Sequence, residues 1–161
     1  MIVHKMTAAE CRTVLARVRV GRLACVREDQ PYIVPVALYL DPDDDVVYGF
    51  STVGQKIRWM RDNPLVCIEV EEIISRANWT TVIAFGWYEE IPRAGPGADV
   101  RRRATELFGT QSDWWLPGTA TLSSGEQPAV PVIYRIRLGK VTGRRVHDGK
   151  EPAAVGDPRI G

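Results

Sequence analysis

The chain has 161 residues, 45% of them apolar and 25% charged, with a formal net charge of +1. A chain of that length buries roughly two-thirds of its unfolded surface, so one core forms without metal or disulfide staples. The balanced charge supplies no field for nucleic acid or an anionic membrane, and no apolar run approaches the roughly 18 residues of a membrane span. The first residues carry no signal-peptide apolar stretch, so a cytoplasmic location is expected. Cys11, Cys25 and Cys67 are odd in number, widely spaced and set among apolar neighbours. They read as reduced core thiols, which agrees with that location.

Thr7-Ala8-Ala9-Glu10 is a capping box: the Thr7 hydroxyl accepts from the N–H at position 10 and Glu10 reaches back. Behind it Cys11, Val14, Leu15 and Val18 keep helical spacing, which predicts a helix over 7–17. Short strands follow at 23–26 and 32–40, separated by a polar turn. Pro35 lies inside the second strand and cannot donate to a ladder, so an edge, bulge or open segment is expected there. After the acidic turn 41–45 comes a strand at 46–50, then a short helix over 54–62 stopped by Asn63-Pro64. Strands at 65–70 and 79–91 come next, the latter with a bulge or bend at Gly86. A second amphipathic helix is predicted over 98–108. Residues 109–129 read as irregular, and a last strand spans 130–142.

No repeat or linker divides the chain. One domain over 1–145, with a flexible tail over 146–161, is the expected organisation. Six strands in meander order with short helices predict a mainly β (α+β) fold, a closed or partly closed antiparallel barrel. The βαβ alternation and GxGxxG of a dinucleotide-binding domain are absent.

Catalytic triads and zinc sites find no support. His4 and His147 lie near opposite ends, GxSxG does not occur, and no Cys/His cluster has ligand spacing. The carboxylates at 69, 71, 72, 89 and 90 read as solvated charges guarding strand ends. The informative stretch is Tyr48-Gly49-Phe50-Ser51-Thr52-Val53-Gly54-Gln55-Lys56. A strand ends in two hydroxyls and a glycine, and a helix then begins with an amide and the only lysine between Lys5 and Lys140. Hydroxyls, free N–H groups, an electropositive helix end and a full cation all suit a phosphate. The same Ser-Thr pair also suits an ordinary helix cap.

At this point the sequence resembles the pyridoxamine 5′-phosphate-oxidase-like proteins, including their nitroimidazole-resistance-like branch. The resemblance runs through Val20 to Ala24, Pro31 to Val36, Tyr48 to Lys56, Asn63 to Val70 and Trp79 to Gly86. It returns in Tyr134-Arg135-Ile136 and Val141 to Arg145. It implies a six-stranded split β-barrel that forms a homodimer with FMN in clefts between subunits. By position, Ser51, Thr52, Gln55 and Lys56 would hold the phosphate. The backbone of Val34, Pro35 and Val36 would follow the flavin edge, and Thr81 would meet the ring or ribityl chain. Phe50 is a further cofactor-binding candidate; it stands where the nitroimidazole-resistance-like members carry histidine, and phenylalanine can stack or pack but moves no proton.

The function implied is an FMN-dependent oxidoreductase acting on a small molecule, in which the flavin does the redox chemistry and no side chain is assigned as acid or base. Trp114 and Trp115 are candidates to cover the flavin or the dimer partner. Arg135, Arg137, Arg144 and Arg145 are candidates for a substrate phosphate, with a solvated strand face as the plainer reading. Two other readings stay open. One is a non-catalytic flavin or haem module, with His4 or His147 as axial ligand. The other is a deazaflavin (F420) reductase, whose acidic cofactor tail would meet Arg101-Arg102-Arg103.

Overall fold

The computed structural model describes residues 1–93, 95, 97–109 and 132–148. The elements in order are β1 (Ile2–Met6), α1 (Ala8–Arg17), β2 (Val20–Arg27), β3 (Gln30–Ala37), β4 (Tyr39–Asp41), β5 (Val46–Ser51), α2 (Gln55–Asp62), β6 (Leu65–Ser75), β7 (Asn78–Glu90), α3 (Ala98–Gly109) and β8 (Val132–His147). The strands form one antiparallel sheet in the order β3-β2-β6-β7-β8-β5-β4, with β1 added to β8. Its ends, β3 and β4, do not pair, so the sheet curls without closing: a split barrel.

The split arises in β8. This strand stays beside β7 along its length, while its other side changes partner. Val132 to Arg137 pair with β5, and Gly143 to His147 pair with β1. The open edge of the second half explains β1, which the sequence does not announce. Ile2 and Val3 are adjacent, both exposed, and show no alternation. Pairing with β8 makes them a strand. The pairing also extends β8 to His147, so the first residues of the expected tail belong to the sheet.

The predicted strand over 32–40 divides, but not at Pro35. β3 pairs with β2 without a shift, with Pro35 opposite Arg22. A proline is tolerated because β3 ends the sheet. The break falls at Leu38, whose N–H turns to the Arg19 carbonyl at 2.9 Å. These two differences turn the six expected strands into eight among the described residues. Gly86 lies at a register shift in the β7–β8 pairing, as expected of a bulge. A Cβ there would stand 2.4 Å from Ile136 Cγ2 and 2.8 Å from the Arg137 carbonyl.

The core fills the curl. Leu23, Ile68, Val70, Val82 and Ile136 point inward from the strands, and α1 supplies Cys11, Val14 and Leu15. The predicted capping box starts α1: Glu10 N–H donates to Thr7 Oγ1 at 3.3 Å, and Thr7 N–H donates to Glu10 Oε2 at 2.8 Å. α2 buries Ile57 and Met60, the pair its spacing predicted. A smaller cluster joins α3 to β4 and β5 through Tyr39, Tyr48, Ala104 and Phe108.

Candidate functional site

The N-cap of α2 is Gly54, which offers no side chain, and no side-chain hydrogen bond caps the helix. The ordinary-cap reading of Ser51-Thr52 is therefore not realised. Ser51 is buried and its hydroxyl donates to the Thr52 carbonyl at 2.9 Å. The same carbonyl accepts from Gly54 N–H at 2.9 Å, which folds the chain tightly into the helix. Arg58 N–H bonds back to Gly54 O, but the N–H groups of the first turn have no carbonyl to meet. No acidic residue occupies that turn. The helix dipole thus ends in an uncompensated positive site.

Lys56 sits in this first turn. It is half-buried, and burial pushes its pKa below that of an ordinary lysine, opposed by the Cys25 thiol on β2. No carboxylate pairs with it among the described residues. Most described arginines do pair, for instance Arg12 with Asp45, Arg22 with Glu69 and Glu71, and Arg61 with Glu90. A desolvated cation beside free N–H groups is arranged for an anion from outside the chain.

The other sequence candidates fall into distinct places. Val34 and Val36 flank Pro35 on β3, whose outer edge bonds no other strand of the sheet. Gln55 is exposed and Thr52 half-buried beside Lys56. Phe50 packs on Phe108 with ring centroids 4.9 Å apart, so its ring is part of the α3 cluster. Thr81 does not join them. Its neighbours Val82 and Thr80 are buried, while Thr81 turns to the outer face of β7 and lines a recess with Lys5, Lys140 and Arg144. Along β8, Thr81 is level with Arg144 and Ser51 with Val132, at opposite ends of the strand. Trp114 and Trp115 lie outside the described residues.

Arg135 and Arg137 both bond Glu89, at 2.7 and 2.6 Å, and Arg145 bonds Glu10 at 3.3 Å. Three of the four basic substrate candidates are thereby neutralised, and only Arg144 meets no carboxylate among the described residues. Two of the three arginines at 101–103 are also committed: Arg103 forks onto Asp41, and Arg102 bonds Asp99 and Glu106. Glu72 pairs with Arg17, so the acidic strand ends act as ion-pair partners. The histidines, remote in sequence, meet: their rings stack at 4.8 Å, with Nε2 atoms 2.8 Å apart. Among the described residues no group of three His, Cys, Asp or Glu is placed to hold a metal, and no helix is long and apolar enough to cross a membrane.

Sequence reading missed the apolar outer face. Leu65, Ile83, Phe85 and Trp87 are 59%, 40%, 50% and 45% exposed. Trp87 stands opposite Leu65 and Phe85 opposite Cys67, so they make one continuous strip, beside a recess of about 580 Å³. The alternation within 79–91 carried this signal, because both of its faces are apolar.

A curled antiparallel sheet that does not close, with an uncapped helix start, a half-buried lysine and an apolar outer strip, defines the class: a split β-barrel. The comparisons agree with that class. The family model described as pyridoxamine 5′-phosphate oxidase matches residues 7–145, and the chain belongs to this family. It is 34% identical over 152 residues to an uncharacterized protein of Rhizobium meliloti strain 1021, covering 93% of this chain and 99% of that one. A FAD-binding protein of Mesorhizobium loti is 38% identical, with a TM-score of 0.75 over 91% of this chain and 99% of that one. A candidate 5-nitroimidazole antibiotic resistance protein of Bacteroides thetaiotaomicron is 14% identical, with a TM-score of 0.63 over 90% and 89%, and shares the fold.

Proposed function

We propose that this chain is a flavin-binding protein that holds FMN with its phosphate over the start of α2, and that it acts as an oxidoreductase on a small molecule. The observation that carries the reading is Lys56: half-buried, unpaired among the described residues, and set beside N–H groups that no side chain caps. The FMN phosphate is a dianion and the chain's +1 charge offers it no general field. Local groups must meet it. Lys56 and the N–H groups of Gln55 and Lys56 would do so, with the Thr52 hydroxyl beside them. The free edge of β3 at Val34, Pro35 and Val36 would lie along the ring. The flavin supplies the redox chemistry; the chain's residues bind it, orient it and exclude water.

The placement of Thr81 supports a homodimer with the flavin between subunits. Thr81 and the end of β5 that leads into the Lys56 turn lie level with opposite ends of β8, so a flavin that touches both Thr81 and Lys56 needs a second copy. The apolar strip offers that copy a surface. The free thiols of Cys11, Cys25 and Cys67 support a cytoplasmic setting. FAD is the second reading, favoured by the FAD-binding relative at 38% identity. It contains the same flavin phosphate, and the mass of the ligand released from purified protein separates the two.

The test is Lys56→Ala, with flavin fluorescence titrated against FMN and riboflavin. One charge-assisted contact contributes about 1.5–3 kcal/mol, so FMN should bind roughly ten- to a hundred-fold more weakly. Riboflavin, which lacks the phosphate, should be indifferent. Equal weakening of both ligands would remove Lys56 from the phosphate site. A colourless protein that refuses added flavin would end the reading.

A further inference from the structure

The sheet brings together two residues that the proposed flavin site does not use. His4 on β1 and His147 on β8 are 143 residues apart in sequence, and their Nε2 atoms stand 2.8 Å apart. The register explains the meeting. Arg145 stands opposite His4 and His147 opposite Ile2, so the two imidazoles are diagonal neighbours on adjoining antiparallel strands. Strand alternation puts His4 on the side of Met6, which is buried, and away from Lys5, which lines the outer recess with Thr81. The pair therefore lies on the other face of the sheet from the recess that a flavin reaching Thr81 would touch.

The two nitrogens are placed as ligands of one centre. The ring centroids are 4.8 Å apart with planes 9° from parallel, so the rings meet by their Nε2 edges. As a hydrogen bond, one Nε2–H donates to the other Nε2 and engages a single lone pair; an ion that replaces the proton engages both. Two nitrogens each about 2.0 Å from one ion stand about 2.8 Å apart at a right angle and about 3.3 Å apart at the tetrahedral angle. The observed separation fits the right angle of a square-planar or tetragonal ion, Cu2+ or Ni2+, and imidazole suits both. His4 is exposed and His147 half-buried, so both rings can turn their lone pairs onto an ion. The nearby charge permits a cation: Arg145, opposite His4 and two residues before His147, is engaged by Glu10 at 3.3 Å. Among the described residues no third side chain joins the pair, so water completes the coordination.

β1 is the element such an ion would act on. Of its five residues only Met6 is buried, and Ile2, Val3, His4 and Lys5 are exposed. A strand with so little buried surface is among the first to open. A bond from each strand to one ion opposes that opening. We propose that His4 and His147 chelate a divalent ion of the copper or nickel class through their Nε2 atoms and so clip β1 to the end of β8. The clip needs neither FMN nor Lys56.

The test titrates CuCl2, NiCl2 and ZnCl2 calorimetrically into the untagged full chain and into His4→Ala and His147→Ala. Cu2+ and Ni2+ should bind the wild type, and Zn2+ should bind more weakly than Ni2+, because zinc favours the tetrahedral angle. Each alanine variant loses one of two imidazoles and should bind Cu2+ roughly a hundred-fold more weakly. Cu2+ should slow hydrogen exchange of the β1 amides in the wild type and in neither variant. His4 is exposed, so His4→Ala keeps the fold and guards against an artefact at the end of β8. Unchanged affinity in either variant leaves an adventitious ion only and overturns the proposal, as does Zn2+ binding as tightly as Ni2+. A protein that binds FMN and no Cu2+ sinks the clip and leaves the flavin reading standing; one that binds Cu2+ at these histidines and refuses FMN does the reverse.

Discussion

Arg103 on α3 forks onto the buried carboxylate of Asp41 on β4, with Nε to Oδ2 at 2.8 Å and Nη2 to Oδ1 at 3.1 Å. Asp41 is 1% exposed, so its charge is tolerated only because the guanidinium and the N–H of Asp43 meet it. This contact pins α3 to the short strand at the end of the sheet.

Arg103→Gln should therefore destabilise the fold, because the buried Asp41 carboxylate loses its partner. The Arg103 hydrogen bonds hold the Asp41 pKa below the usual carboxylate value. A lowered folded-state pKa gives stability that is present above the unfolded pKa and lost as pH falls through the folded one. Acid unfolding of Arg103→Gln should start at higher pH than in the wild type. Identical acid transitions by circular dichroism would show that the pair contributes nothing.

Lys56 predicts the opposite limb of the pH scale. Burial lowers its pKa, so it loses its proton at lower pH than an exposed lysine. FMN affinity should fall as pH rises through that pKa, while riboflavin affinity stays level. The unfolded chain binds this proton more tightly, so the ligand-free protein should gain stability over the same window. Lys56→Arg keeps its charge and should flatten both profiles. A wild-type FMN affinity that does not change with alkaline pH would separate Lys56 from the phosphate.

The outer strip gives an assembly prediction. Sedimentation at micromolar concentration should find a two-fold dimer. Phe85→Asp with Trp87→Asp should yield a folded monomer, because both side chains are about half exposed in one chain and contribute little to its core. Flavin affinity should drop with the dimer. A double variant that remains dimeric would place the interface elsewhere.

Phe50 and Gly86 test packing. Phe50→His removes an aromatic contact with Phe108 at 4.9 Å and should cost about 0.5–1.5 kcal/mol, with FMN affinity nearly unchanged. A collapse of affinity would make the ring part of the flavin site. Gly86→Ala forces a methyl group against the Arg137 carbonyl, which is backbone and cannot swing aside. Overpacking there should cost about 1–3 kcal/mol in denaturant unfolding.

Local signals were legible wherever neighbours in sequence do the work. Thr7 and Glu10 cap α1 because both partners lie within one turn. Ile57 and Met60 face the core because helical spacing alone puts them on one side. Gly86 marks its bulge, and Tyr48 to Lys56 mark the strand, turn and helix start that build the cradle. A Ser-Thr pair before a helix was ambiguous, and the fold resolved it by making Gly54 the N-cap.

The sequence by itself determined the antiparallel barrel, the helix starts and the lysine at the start of α2, since each depends on period, turn chemistry or charge within a few residues. The tertiary structure alone decided the rest. It added β1, whose pairing depends on an edge of β8 more than a hundred residues away. It cancelled Arg135, Arg137 and Arg103 as free cations by bringing carboxylates from other strands to them. It gathered Lys5, Lys140 and Arg144 into one recess. Which charges are matched and which are left over depends on long-range register, and register is fixed only when a whole sheet buries one face.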